Sequence, residues 1–340
     1  MIPADICLCI LDNLSQPDMN ALARTNRQFY HQINPRLYHY NVRHHNASAL
    51  WWAVEHQHRV TADYSLDQGA DINARNENGD TLLTRTIYLR VHAEYYTPRD
   101  QNFAALITKL DSLVTLFLDR GIDINARGFR EQTAFHKACG GLDETPVRTL
   151  IARGADIDMT DASQMSGLHI AAGWTLNRAL VGLLIEQGLD LEAKDAIGRT
   201  PLHVATEVGN IENMEILLEN GAHVDCRGNG DFTPLMEAVC RFKLGPQVQF
   251  WMIEMLLEHG ADIRAVDHFE EQTVLHLAVE YRLPALIVQY LVDWGADLDA
   301  RDVNYLTARE QAYLEGCREL LPILTDFVED EDEKAADDDE

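Results

Sequence analysis

Residues 69–81 read GADINARNENGDT, and close copies of this stretch recur along the chain. The closing Thr or Ser follows the opening Gly by 12 residues in every copy but one, where the distance is 13. The opening residues are Gly69, Gly121, Gly154, Gly188, Gly221, Gly260 and Gly295. The closing residues are Thr81, Thr133, Ser166, Thr200, Thr233, Thr273 and Thr307, and Ser48 extends this series backwards. The dominant period of 33 residues indicates a tandem array of small structural units.

Each closing residue is expected to begin a helix. The hydroxyl of a Thr such as Thr200 can accept a hydrogen bond from a free amide of the first turn, and Pro201 has no amide to leave unpaired. Leu202 and Ala205 then share one helix face. A second helix follows and ends at a glycine, as at Gly221, where a left-handed cap is expected. Such a helix pair cannot bury its apolar face alone, so successive pairs must stack.

The stretch TPLHVA at residues 200–205, with its looser copies TPLMEA, TVLHLA, SGLHIA, TAFHKA and SALWWA, resembles the opening of an ankyrin repeat. The resemblance covers residues 48 to about 328 and implies an all-α ankyrin-repeat solenoid with β-hairpin fingers. It places seven repeats with starts near residues 48, 81, 133, 166, 200, 233 and 273, and a C-terminal half-repeat from residue 307.

Two repeats are longer than the others. Repeat two carries about 19 extra residues around Tyr88 to Gln101, and repeat six carries six around Phe242 to Phe250. Because the Gly-to-Thr spacing hardly varies, both insertions are predicted to be loops between the two helices of their repeats, where added length costs little entropy. They are either neutral expansions or loops that contact a partner.

Composition excludes several classes of protein. The net charge is −27, and residues 329–340 alone contribute −8, which predicts a disordered acidic tail. No basic stripe for nucleic acid and no apolar run long enough for a membrane span are visible. The six cysteines form no CxxC pair, which favours reduced thiols in the cytoplasm or nucleus. We expect an intracellular chain that is monomeric on its own.

The first 40 residues lack the repeated phrase and have their own pattern. Ile2-Pro3-Ala4-Asp5-Ile6, with Ile10, Leu11 and Leu14, resembles the opening of an F-box. Asp18-Met19, Leu22 and Arg27-Gln28-Phe29 match its later positions. The resemblance implies binding to a Skp-type adaptor of an SCF ubiquitin ligase, with Pro3, Ile6, Ile10 and Leu14 as adaptor contacts. Alternatively, this segment only caps the exposed end of repeat one.

No residue pattern indicates catalysis, and no cofactor is expected. The chain contains no GxSxG, P-loop or GxGxxG motif. His44, His45 and the stretch EHQH at residues 55–58 raise a metal hypothesis, but they lack the paired spacing of a zinc site and have no cysteine nearby. The ankyrin resemblance assigns His136, His169, His203 and His276, which share one position in their repeats, a structural bond to the backbone of a neighbouring repeat.

The remaining candidate is a surface that binds a protein. By the ankyrin resemblance, the finger tips and the exposed side of each first helix form a concave partner-binding face. The residues at these positions are rich in the aromatic and arginine side chains that anchor interfaces. They are Phe129, Arg130, Gln132, Met165, Trp174, Ile197, Arg199, Asn229, Phe232, Arg241, Phe269 and Tyr281. Some of them are alternatively expected to tuck against the adjacent finger.

Two functions follow. In the first, the chain is the substrate-recognition subunit of an SCF-type ligase, with no bond chemistry of its own. In the second, it is a non-catalytic scaffold or regulatory module whose N-terminal helices only cap the stack. Adaptor binding discriminates between them.

Overall fold

The computed structural model describes residues 48–97, 101–174 and 177–325, and the F-box-like segment and the acidic tail lie outside these ranges. The chain divides into two compact units, one ending at Ser163 and the other beginning at Gln164. The helices of the first unit are Ser48–Glu55 (α1), Arg59–Asp67 (α2), Leu82–Tyr96 (α3), Gln101–Asp119 (α4), Ala134–Cys139 (α5) and Thr145–Ala152 (α6). Those of the second are Gly167–Trp174 (α7), Arg178–Glu186 (α8), Pro201–Val208 (α9), Ile211–Glu219 (α10), Pro234–Cys240 (α11), Pro246–Glu258 (α12), Val274–Glu280 (α13), Ala285–Asp293 (α14) and Ala308–Glu315 (α15). The helices therefore come in pairs, and α15 is the first helix of a further pair.

From repeat two onward, the first helix of each pair starts one residue after the repeated Thr or Ser. Thr81 accepts from the amide of Thr84 at 3.1 Å, and the Thr84 side chain in turn accepts from the Thr81 amide at 2.8 Å. The same reciprocal cap joins Thr307 and Glu310. At the other end of the phrase, all seven opening glycines have φ between 78° and 90°, a range that favours glycine. A side-chain cap thus marks the start of such a helix pair, and a left-handed glycine follows its end.

Within each unit, the first helices of neighbouring repeats pack directly on one another. In α9 and α11, Leu202, Ala205, Leu235 and Ala238 are all fully buried. Burying one leucine side chain contributes about 1.5–3 kcal/mol. The alanines on the same stripe allow the helix axes to approach closely, as the spacing predicts.

The fingers between repeats are tight turns rather than strands. Within the described residues, β-pairing is limited to two isolated antiparallel bridges, at Arg75–Thr81 and Arg301–Thr307. Five fingers close with a backbone bond across four residues, as from the Asp195 amide to the Arg199 carbonyl at 2.9 Å. In repeat six the bond runs from the Asp267 amide to the Gln272 carbonyl, across five residues. This longer turn therefore accommodates the one extra residue between Gly260 and Thr273.

Side chains link successive fingers within each unit. Arg127 donates to the Thr160 carbonyl at 2.8 Å, and Arg227 donates to the Val266 carbonyl at 2.9 Å. Lys194 makes the equivalent bond to the Arg227 carbonyl at 3.1 Å. These bonds pair finger backbone that no strand satisfies, and they hold neighbouring fingers in register.

The repeated histidines form a second set of links. The Nε2 atom of His203 lies 3.0 Å from the Phe232 carbonyl, and His169 and His276 make the same contact one repeat onward at 3.0 and 2.9 Å. Because Nδ1 of His203 accepts from the Thr200 amide, the proton of the neutral ring resides on Nε2. The predicted structural role is confirmed for these three, while His136 bonds Thr133 at 2.8 Å.

The two insertions are helical, so their prediction as loops was wrong. The extra residues of repeat two extend α3 to 15 and α4 to 19 residues, with residues 98–100 between them outside the described ranges. In repeat six they form a short 3₁₀ helix, Phe242–Leu244, and lengthen α12 to 13 residues. Tertiary packing decides this, because a helix in a protein gains most of its stability from the surface against which it lies.

A buried ion cluster fixes the extended helices of repeat two. Arg90 of α3, only 2% exposed, pairs with Glu94 one turn later and with Asp143 in the following repeat. Its Nε atom also lies 2.8 Å from Asp111 of α4. Glu94 further accepts from the Leu142 amide at 2.6 Å. One guanidinium therefore connects both long helices to repeat three.

Candidate partner-binding face

The first unit holds three of the predicted partner-binding residues, and they differ in exposure. Phe129 and Arg130 are exposed at the tip of a finger, with the guanidinium 5.5 Å from the ring centre. Gln132 is half-buried, where it donates to buried Asp161 at 2.9 Å and accepts from Lys137 at 2.6 Å. Phe129 and Arg130 are available to a partner, whereas Gln132 mainly supports Lys137.

In the second unit, four of the predicted residues are exposed. Trp174 is 61% exposed at the end of α7, and Ile197 is 51% exposed in the next finger. Asn229 is exposed in the finger of repeat five. Phe269 is 71% exposed, but one side of its ring packs against Gly230 of the preceding finger. A Cβ added to Gly230 would lie only 2.8 Å from this ring.

Met165 does not belong to this face. Its side chain is only 6% exposed, which leaves little of it for a partner to contact. The sequence position is correct for a finger, but the thioether packs inward, as methionine readily does in irregular gaps. Phe232 and Tyr281 are half-buried and contribute part of their surface.

Both arginines predicted in the second unit are already ion-paired. Arg199 contacts Asp195 through Nε at 2.9 Å and also pairs with Glu207. Arg241 lies 3.4 Å from Glu207 and pairs with Glu237. Burial by itself would raise the pKa of Asp195, but hydrogen bonds from the Arg199 guanidinium and from the amides of Arg199 and Ile197 keep this pKa below its usual range. This network carries three carboxylates and two guanidinium groups, so its charge is negative.

Sequence reasoning missed several residues that the first helices expose. Counting four or seven positions from the closing Thr or Ser gives Trp52, Arg85, Tyr88 and Lys137 in the first unit, all at the surface or half-buried. Arg85 lies 5.2 Å and Lys137 5.8 Å from the centre of the Tyr88 ring. Their fixed spacing from the closing Thr or Ser is the sequence signal that could have identified them.

The extended α3 continues this surface with a stripe of aromatic rings. Tyr88, His92 and Tyr96 lie one turn apart, with ring centres separated by 5.8 and then 4.4 Å. Tyr95 donates to the Gly140 carbonyl at 3.0 Å and so joins the stripe to repeat three. The insertion therefore adds exposed aromatic area to the first unit.

The histidines of the metal hypothesis have structural contacts where the structure describes them. His56 stacks on Trp52 with ring centres 4.2 Å apart, and His58 caps α2 through Thr61. His44 and His45 lie outside the described residues. In the part of the chain that is described, no three His, Cys, Asp or Glu side chains are grouped closely enough to hold a metal ion.

Cys139, Cys226 and Cys317 are buried, and burial raises the pKa of the Cys226 thiol to about 12, which keeps it protonated. None of the helices within residues 48–97, 101–174 and 177–325 is both long and apolar enough to cross a bilayer.

Comparison with known proteins identifies the repeats. A family model described as ankyrin repeats, in three copies, matches residues 168–267, and a single ankyrin-repeat model matches residues 270–300. The ankyrin repeat domain of Bcl-3, a member of the IkappaB protein family, matches with a TM-score of 0.56 and 28% identity over 73% of this chain and 99% of that domain.

Curated relatives match over shorter segments. Ankyrin repeat and SOCS box protein 6 of Mus musculus is 39% identical over 105 residues, which are 30% of this chain and 23% of that protein. Protein fem-1 homolog A-A of Mus musculus is 35% identical over 91 residues, which are 25% of this chain and 14% of that protein. The chain thus spans less than a quarter of the length of these relatives.

The paired helices, the finger turns and these matches together define the class: the chain contains ankyrin repeats, and its fold is that of an ankyrin-repeat solenoid. The all-α prediction is confirmed. Ankyrin repeats imply protein–protein interaction.

Proposed function

We propose that this chain is the substrate-recognition subunit of an SCF-type ubiquitin ligase. Its ankyrin face binds a substrate protein, and residues 1–40 bind a Skp-type adaptor. The observation that carries the substrate-binding half is the exposure of large apolar side chains where the ankyrin resemblance places partners, above all Trp174 and Ile197. Such residues have no core to fill at these positions and are typical of interface anchors.

The adaptor-binding half is supported by the F-box-like residues Pro3, Ile6, Ile10 and Leu14. The sequence of this segment predicts two short helices, and a segment that small cannot enclose a core, so we expect it to dock on another surface. The curated relative named for both ankyrin repeats and a SOCS box supports this organisation, because its name joins a repeat array to a second module in one chain.

The first test is a pull-down with a purified Skp-type adaptor. The intact chain should retain the adaptor, and an Ile6→Asp/Ile10→Asp variant should lose it, because two carboxylates would have to be buried in an apolar contact. Ile197→Asp is the matched control, since it places the same group at an exposed position of the second unit. Circular dichroism would establish that all three proteins are helical.

Retention of the adaptor by the Ile6→Asp/Ile10→Asp variant would contradict the proposal. Absence of binding by every protein would favour the second function, a non-catalytic ankyrin scaffold whose N-terminal segment only caps repeat one. That alternative has physical support of its own, because an uncapped terminal repeat exposes an apolar face.

A further inference from the structure

The insertion in repeat six forms one wall of a cleft in the second unit. The cleft has a volume of about 520 Å³, and its walls are the start of α12 and the turn that follows α13. Pro246 and Gln249 line the first wall, and Glu280, Tyr281, Leu283 and Pro284 line the second. The first wall therefore belongs to the inserted stretch of repeat six, and the second wall belongs to repeat seven.

The first wall of the cleft is rigidly held. The side chain of Gln249 is only 2% exposed, and its amide donates to the carbonyls of Ala238 and Val239 at 3.1 and 2.7 Å. Leu244 and Val248 of the same insertion lie against Gly209 of the preceding repeat, where an added Cβ would approach them to 2.7 and 3.2 Å. The insertion thus contacts both the first helix of its own repeat and the preceding repeat.

The second wall carries an exposed carboxylate, that of Glu280. Glu280 is exposed, and its Oε2 atom accepts from Gln272 at 3.2 Å. In the described part of the chain it forms no ion pair, whereas Glu207 and Glu237 both pair with Arg241. Arg282 also lines the cleft, but it donates to the Glu315 carbonyl at 3.5 Å, in the repeat that follows.

We infer that this cleft binds an arginine side chain of the protein partner, an inference that rests on the proposed function of the ankyrin face. The aliphatic part of the arginine lies against Pro246, Leu283 and Pro284, and its guanidinium pairs with Glu280. Arginine suits such a site because its guanidinium is weakly hydrated, pairs with carboxylates through two parallel bonds and stacks on aromatic rings such as Tyr281. The net charge of −27 favours the approach of a basic segment.

The test is an NMR titration of the full-length, ¹⁵N-labelled chain with N-acetyl-arginine N-methylamide. The matched probe is the citrulline analogue, which has nearly the same shape and no charge. Arginine should cause saturable shifts in the amides of residues 247–249 and 280–283, and citrulline should bind at least fivefold more weakly. Charge-assisted hydrogen bonds are about twice as strong as neutral ones, which sets this direction.

Two variants separate the cleft from the general negative field. Glu280→Gln should weaken arginine binding at least fivefold, and Glu212→Gln, which removes an exposed carboxylate from the second helix of repeat five, should leave it unchanged. Shifts spread over the surface, equal binding of citrulline, or an equal effect of both variants would overturn the inference. The comparison of the two probes needs no variant, so it remains decisive if Glu280→Gln does not fold.

Failure of this inference is distinguishable from failure of the proposed function. The adaptor pull-down depends on residues 1–40 and uses no arginine probe. Adaptor binding without a localised arginine shift would remove the arginine site and leave the ligase role in place. A localised shift without adaptor binding would keep the site on an ankyrin scaffold.

Discussion

At the scale of single residues, the repeated histidines show how one side chain serves both local and tertiary structure. Nδ1 of His203 accepts a hydrogen bond from the Thr200 amide, and Nε2 donates one to the Phe232 carbonyl. The first bond begins a helix and the second ties it to the next finger. Only the first bond needs the neutral ring, because a protonated Nδ1 becomes a donor and can no longer accept from the Thr200 amide, whereas Nε2 donates in both states.

Acidification should therefore destabilise the second unit. Burial lowers the pKa of His169 and His203 below their ordinary 6.5, so the unfolded chain binds protons that the folded chain does not. The contribution of these two histidines to the free energy of unfolding is therefore present above about pH 6.5, and it is lost as the pH decreases towards their folded-state pKa values. Each histidine contributes a slope of up to about 1.4 kcal/mol per pH unit. Urea unfolding measured between pH 7.0 and 5.5 checks this.

The variant His203→Gln tests the assignment of that slope. Glutamine does not titrate, so the variant should be less stable at pH 7 and should also lose part of the pH dependence. A destabilised variant with an undiminished slope would assign the pH dependence to other groups.

At the scale of elements, the extended helices of repeat two depend on a single buried guanidinium. The inserted residues carry no copy of the repeated phrase, and nothing in their local pattern demands helices of 15 and 19 residues. Arg90 connects them through carboxylates that lie 21 and 53 residues further along the chain. The 33-residue period of the sequence does not specify which side chains form ion pairs over such distances.

Replacing Arg90 by Met should cost about 3–5 kcal/mol of unfolding free energy, because Glu94 is left buried without its counter-charge. Burial already raises the pKa of Glu94 above its usual value. Arg85→Met on the same helix is the control: its pair with Glu55 is part-exposed, so the loss should stay below about 1 kcal/mol. Guanidinium chloride denaturation of both variants gives the comparison, and equal losses would contradict the role of the cluster.

At the scale of the whole molecule, the dominant property is charge. The net charge is −27, and residues 329–340 carry nine acids and one lysine, so a chain that ends at residue 328 would carry −19. Such a field acts on association with charged partners more than on the fold.

Removal of residues 329–340 should therefore weaken binding of a labelled octa-arginine peptide by about threefold at 50 mM NaCl and much less at 300 mM, where screening is stronger. Fluorescence anisotropy measures the affinities, and the circular dichroism spectrum should keep its helical signal. Tighter binding by the truncated chain would show that the tail competes for a basic surface instead.

The sequence by itself determined the repeat, its register and its caps, since these arise from neighbours three or four residues apart, as between Thr200 and His203. Only the tertiary structure decided that the insertions are helices, that Met165 is buried, and that Arg199 and Arg241 share Glu207. It also decided that Pro246 and Glu280 face one cleft. The physical reason is that burial and charge pairing depend on residues tens of positions away, which a pattern of 33-residue units places in adjacent repeats without specifying how their side chains meet.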